Sequence, residues 1–88
     1  MSDPQGYDDD LFDRHIDAIR QEVTAIRGFW SVERWVLVDV LLDHRLAFPV
    51  LEARMVVDWL LVNLVCHNNR TLISRREIDS TLSELRMA

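Results

Sequence analysis

The sequence predicts an all-α domain: four short helices, the third central and nearly all apolar, assembled as a homodimer. Three observations carry this. Phe12, Ile16, Ile19, Val23, Ile26 and Trp30 recur at steps of 4, 3, 4, 3 and 4, a seam along one helix face. From Val32 to Ala47 no turn signal interrupts sixteen residues, and strict alternation fails at Leu41–Leu42, so helix is favoured over strand. From Met55 to Cys66 only Asp58 and Asn63 are polar. At about 100° per residue those two point roughly 140° apart, which leaves most of the helix surface apolar.

The elements follow in order. Residues 1–7, with Pro4 and Gly6, read as a disordered acidic tail, and residues 8–88 as a single helical domain. Asp8, Asp9 and Asp10 offer a cap and negative charge at the start of the first helix, and Gly28 suits its end. Ser31 is a candidate N-cap for the second helix, with Glu33 in its first turn. Pro49 marks the next boundary, since the residue before proline resists the α region. The third helix is expected over 49–67, ended by Asn68 and Asn69. The stretch RTLI, 70–73, is open between strand and turn. Ser74 with Glu77 is a capping box for the last helix, whose apolar stripe is Ile78, Leu82 and Leu85. No internal repeat is visible.

Size and composition then ask for a partner. A chain of 88 residues buries only roughly 60–65% of its unfolded surface. Yet 49% of its residues are apolar and three are Trp. Self-association is the expected remedy, through Phe12, Ile16, Ile19, Val23, Ile26, Trp30, Trp35 and Trp59. The function expected is therefore a small protein–protein interaction module: a regulator, adaptor or assembly subunit, with itself or another protein as partner.

Charge and the remaining residue types narrow the classes. The net charge is −5, with residues 1–30 at −4, 31–66 at −2 and 67–88 at +1. An acidic whole argues against general phosphate binding. A first alternative remains: a dimeric helix-turn-helix-like DNA-binding regulator using Arg70, Arg75 and Arg76 near the last helix N-terminus. A second is an acidic decoy, in which Asp8, Asp9, Asp10, Asp13 and Asp17 imitate phosphates and block a nucleic-acid-binding protein. Cys66 is the sole cysteine, which fits a reducing cytoplasm and is expected to be buried and inert. No signal peptide is visible, and no apolar run reaches the ~20 residues of a membrane span. The expectation is a cytoplasmic chain with no membrane partner.

No CxxC, HxxxH, HExxH or glycine-rich phosphate loop is present. His15 near Asp17 and His44 beside Asp43 do not face each other on a helix, so the histidines read as solvated. Enzyme activity is not expected; catalytic, cofactor-binding and metal residues are assigned to none, and no cofactor is expected.

Overall fold

Asp8 opens the first helix by accepting the backbone N–H groups of Asp10 and Leu11, at 2.8 and 3.4 Å. The computed structural model describes residues 8–67 and 69–87. The expected tail, residues 1–7, and Asn68 as a helix end lie outside the described residues. The order is α1 (Asp9–Thr24), β1 (Ser31–Glu33), α2 (Arg34–Ala47), α3 (Leu51–Leu60) continued by a π-helical segment (Leu61–Val65), β2 (Leu72–Ser74) and α4 (Arg75–Met87). The described residues are thus mostly helical, with four helices and one small antiparallel sheet among them. None of its described helices is long and apolar enough to cross a membrane.

Three local expectations are corrected. Ser31 does not cap a helix from Val32. It opens a strand in which Val32 pairs with Ile73, and α2 starts only at Arg34. The hydrogen-bond partners that pull 31–33 out of the helix come from β2, far along the chain. The third helix starts at Leu51, not Pro49, and Val50 takes the extended N-cap position. After Leu60 its hydrogen bonds lengthen to i→i+5, as in Cys66 N–H to the Leu61 carbonyl at 2.9 Å. Within this segment the Asn63 side-chain amide donates to the Trp59 carbonyl, also at 2.9 Å. RTLI resolves as a strand over its latter part, Leu72–Ser74. At the expected capping box of α4 the Glu77 N–H donates to Ser74 Oγ at 3.2 Å.

The core is continuous. Ile16, Ile19 and Val23 of α1 meet Leu37 and Leu41 of α2, Val56, Val57 and Leu60 of α3, Leu64 of the π-helical segment, and Ile78, Leu82 and Leu85 of α4. Val32 and Ile73 seal the strand end. Helices α1, α2 and α4 all pack on α3.

This architecture is a repeat that the sequence hides. Adding 41 to the numbers of the first half reaches the second: β1 maps on β2, Arg34 on Arg75, and the helices on their counterparts. Buried residues correspond as Ile16 with Val57, Ile19 with Leu60, Val23 with Leu64, Leu37 with Ile78 and Leu41 with Leu82. Even an ion pair recurs: Arg45 meets Asp58 at 3.4 Å, and their counterparts Arg86 and Asp17 also pair. Over residues 9–47 and 50–88 only five aligned positions are identical. What repeats is the burial pattern, not the residue.

The halves lock through reciprocal contacts. The Arg34 N–H donates to the Thr71 carbonyl at 2.8 Å, and the Arg75 N–H to the Trp30 carbonyl at 2.9 Å. The Arg75 guanidinium then caps the far end of α1. It donates to the carbonyls of Gly28 at 2.8 Å, Val23 at 3.0 Å and Ile26. Cationic capping of a helix C-terminus satisfies orphan carbonyls and opposes the macrodipole. Arg34 reaches the Val65 carbonyl in the same sense, through two longer contacts of 3.4 Å. Gly28 makes this loop possible: its φ is +121°, and a Cβ there would stand 2.3 Å from the Ser31 carbonyl oxygen.

Candidate functional site

Three regions carry more chemistry than the fold requires. The first is a buried polar cluster between α1, α2 and α3. His15 and His44, expected to be solvated, are both buried. His44 Nδ1 lies 2.8 Å from Glu22 Oε2, and His44 Nε2 lies 2.9 Å from His15 Nδ1. The carboxylate can only accept, so His44 donates from Nδ1. When His44 is neutral its Nε2 then accepts from His15 Nδ1–H. Neighbours along one helix do not face each other, whereas this histidine pair joins two helices.

Two further groups close the cluster. Glu52 is buried in the first turn of α3, where its carboxylate accepts the Asp8 N–H at 2.7 Å. Phe48 rests against both imidazoles, with centroids 5.3 Å from His15 and 4.8 Å from His44. Burial lowers the His15 pKa, and the neighbouring His44 lowers it further, while Glu52 and Glu22 pull the other way. The arrangement can pass a proton from His15 toward Glu22.

The second region is the outer face of α2. Trp35, Asp39, Leu42, Asp43 and Leu46 follow one another along it, all exposed, and Leu46 is 79% exposed. At the end of α2 the face turns into an open apolar groove walled by Leu42, Leu46, Phe48, Val50 and Leu51, with Arg45 and Arg54 at its edge. A helix apolar on most sides is normally covered on most sides. The expectation of unusual all-round apolarity falls on α3, which buries Ala53, Val56, Val57 and Leu60 and leaves Leu51 and Met55 exposed; α2 buries Leu37 and Leu41 and exposes Trp35, Leu42 and Leu46.

The third region is the end of the molecule where the two strands pair. Phe29 and Trp30 are about four-fifths exposed there, at 81% and 80%. Their rings touch edge to face, with centroids 4.8 Å apart. Leu72 is half exposed on the neighbouring strand. Arg27, Arg70 and Arg76 are exposed beside them.

The expected interface residues therefore separate. Ile16, Ile19 and Val23 lie inside the chain's own core, and Phe12, Ile26 and Trp59 pack half-buried against it. Trp30 and Trp35 face outward, on different regions. The arginines of the DNA alternative separate too: Arg75 is engaged by carbonyls of the α1 end, while Arg70 and Arg76 are exposed. In the acidic strip, Asp8 caps α1 and Asp13 and Asp17 approach Arg86; Asp9 and Asp10 stay exposed. Cys66, expected to be buried, is exposed just after the π-helical segment.

The loops can also be tested for cation chemistry. A helix–loop–helix unit holds Ca²⁺ when a twelve-residue loop places oxygen donors at its first, third and fifth positions, glycine at the sixth and a glutamate at the twelfth. Counting from Cys66 to Glu77, a thiol stands first, Arg70 fifth and Thr71 sixth. Asn68 at the third position and the closing glutamate fit, but a thiol stands first and a guanidinium stands at the fifth position, where oxygens are needed, and no glycine stands sixth. Among the described residues no group of three or more His, Cys, Asp and Glu side chains is placed to hold a metal ion. No protein-family model, curated protein or solved structure matches this chain, so the reading of its function rests on the geometry alone.

Proposed function

We propose that this chain is a small protein-interaction module that pairs with a second copy through the outer face of α2, as a regulator, adaptor or assembly subunit. One observation carries the reading. Four pairs of positions equivalent by 41 residues face outward on both α2 and α4, and two of them differ in kind. Trp35 answers to Arg76 and Leu42 to Ser83, whereas Asp39 with Ser80 and Asp43 with Glu84 are polar on both helices. The α4 positions are all polar; the α2 positions mix apolar and acidic side chains.

A second copy suits the face because it carries complementary elements itself. Asp39 and Asp43 flank Leu42 and Leu46, while Arg45 and Arg54 edge the adjoining groove. An antiparallel pair sets the Trp35 end of one α2 against the Leu46 end of the other and opposes their macrodipoles. Large aromatic side chains are the usual anchors of such contacts.

The test is solution mass against concentration, by light scattering and sedimentation. The wild-type chain is expected to dimerise. Leu46→Asp is expected to be monomeric with unchanged helical circular dichroism, because the position is exposed in the single chain. A wild-type chain that stays monomeric up to its solubility limit, or a Leu46→Asp chain that still dimerises, would overturn the reading.

A further inference from the structure

The strand end of the molecule is electrically unlike the rest. The segments 25–35 and 66–77 meet there, although they are far apart in sequence. Together they carry five Arg and two Glu, a net +3; the remainder carries five Arg and thirteen acids, a net −8. Two of the five arginines, Arg34 and Arg75, turn inward onto backbone carbonyls. Arg27, Arg70 and Arg76 are exposed, and none is paired with a carboxylate among the described residues. Of the two acids, Glu33 accepts the Trp35 Nε1–H and Glu77 is half-buried at the start of α4.

The same end carries Phe29 and Trp30, which project into solvent, and Leu72, which is half exposed beside them. From this juxtaposition of a projecting apolar tip and three outward arginines, we infer that the strand end docks reversibly on an anionic lipid bilayer surface. The tip enters the interface between headgroups and acyl chains, where Trp and Phe are favoured. The arginines meet the headgroup phosphates and carboxylates, attracted by the negative surface potential. The acidic remainder, with α1 and its Asp9 and Asp10, is held away from the membrane by the same field.

Two features favour lipid over single-stranded nucleic acid, the other polyanion such a surface suggests. Base stacking needs open ring faces in series. Here Phe29 and Trp30 already pack edge to face on each other, and the third apolar member, Leu72, is aliphatic. The expectation of no membrane partner weighed spanning helices only; a peripheral surface assembled from two loops lies outside that argument.

Co-sedimentation with large vesicles tests this, comparing phosphatidylcholine alone with phosphatidylcholine containing phosphatidylserine. The wild-type chain is expected to sediment with the serine-containing vesicles, to be released by added salt, and to shift its Trp emission to shorter wavelength on binding. Replacing Phe29→Ser and Trp30→Ser together is expected to weaken partition by about tenfold or more, since two large apolar side chains lose their burial. Arg27→Gln, Arg70→Gln and Arg76→Gln together are expected to abolish the preference for phosphatidylserine. All five positions are exposed, so unchanged circular dichroism serves as the folding control. Wild-type chain that ignores both vesicles overturns the inference. So does equal sedimentation of the Phe29 and Trp30 variant, or capture of a single-stranded oligonucleotide without vesicle binding.

Discussion

Helices α2 and α4 hold equivalent places in the two halves, yet they face the world differently. Each begins directly after a strand, with an arginine that reaches across to the opposite half. Each buries apolar residues at matching positions, Leu37 with Ile78 and Leu41 with Leu82. Beyond that they diverge at two matched outward positions: α4 turns out Arg76 and Ser83 where α2 turns out Trp35 and Leu42. The lesson is one of separation. Burial at matched positions builds the skeleton twice, and the departures from the match are where function is sought.

The two crossing arginines offer the largest test of that skeleton. Arg75 satisfies three carbonyls at the end of α1, whereas Arg34 makes two long contacts with a single carbonyl. Charge-assisted hydrogen bonds contribute about 1.5–3 kcal/mol, and orphaned acceptors add to the loss. Arg75→Ala is therefore expected to cost about 2–3 kcal/mol in urea unfolding, and Arg34→Ala about 1 kcal/mol or less. Equal costs would mean that the two halves are tied more symmetrically than their hydrogen bonds indicate.

A subtler contrast lies under α2. Where the first half places His15 and His44 in the interior, the second places Val56 and Leu85. The second half thus supplies an apolar version of the same packing site. Because burial and His44 lower the His15 pKa, the folded chain binds fewer protons than the unfolded one as pH falls below the ordinary histidine value of about 6.5. Stability is full above that value and is lost as pH falls through it toward the lowered folded value. The urea midpoint of the wild-type chain is expected to drop between about pH 7 and 5.5, ahead of most carboxylate titration. The variant His15→Val with His44→Leu, copying the other half, is expected to flatten that drop. An unaltered pH profile in the variant would show that the buried pair does not set it.

The helices were legible in the sequence because their signals are local. Asp8 as a cap, the seam of Ile16, Ile19 and Val23, and the Ser74 capping position all lie within a few residues of what they control. The features that sequence reading missed are joined across the fold. Val32 is a strand residue only because Ile73 is opposite it, and His44 is buried only because His15 and Glu22 arrive from α1. The repeat escaped for a related reason. Isoleucine for valine or leucine keeps a burial pattern while erasing identity, so the match emerges only when exposure is compared position by position. Trp30 and Trp35 were legible as unusual residues, but their exposure depends on where the rest of the chain packs and is not written in their neighbours in sequence.

The smallest expected effect is also the one that bears most directly on the α2 face. Leu42→Ser installs on α2 the residue that α4 carries at Ser83. For the isolated chain an exposed substitution of this kind is expected to change stability by no more than about 0.5 kcal/mol. For a dimer the consequence is of another kind. An assembly that binds only the folded state makes Tm rise with protein concentration, and that rise reports the contact rather than the fold. The wild-type chain is expected to show it in calorimetry over a wide concentration range, and Leu42→Ser to weaken it while matching the wild-type Tm at high dilution. If Leu42→Ser instead lowered Tm equally at every concentration, Leu42 would belong to the single chain's own packing. The difference between α2 and α4 would then be a property of the core edge, and the case for a partner on this face would fall with it.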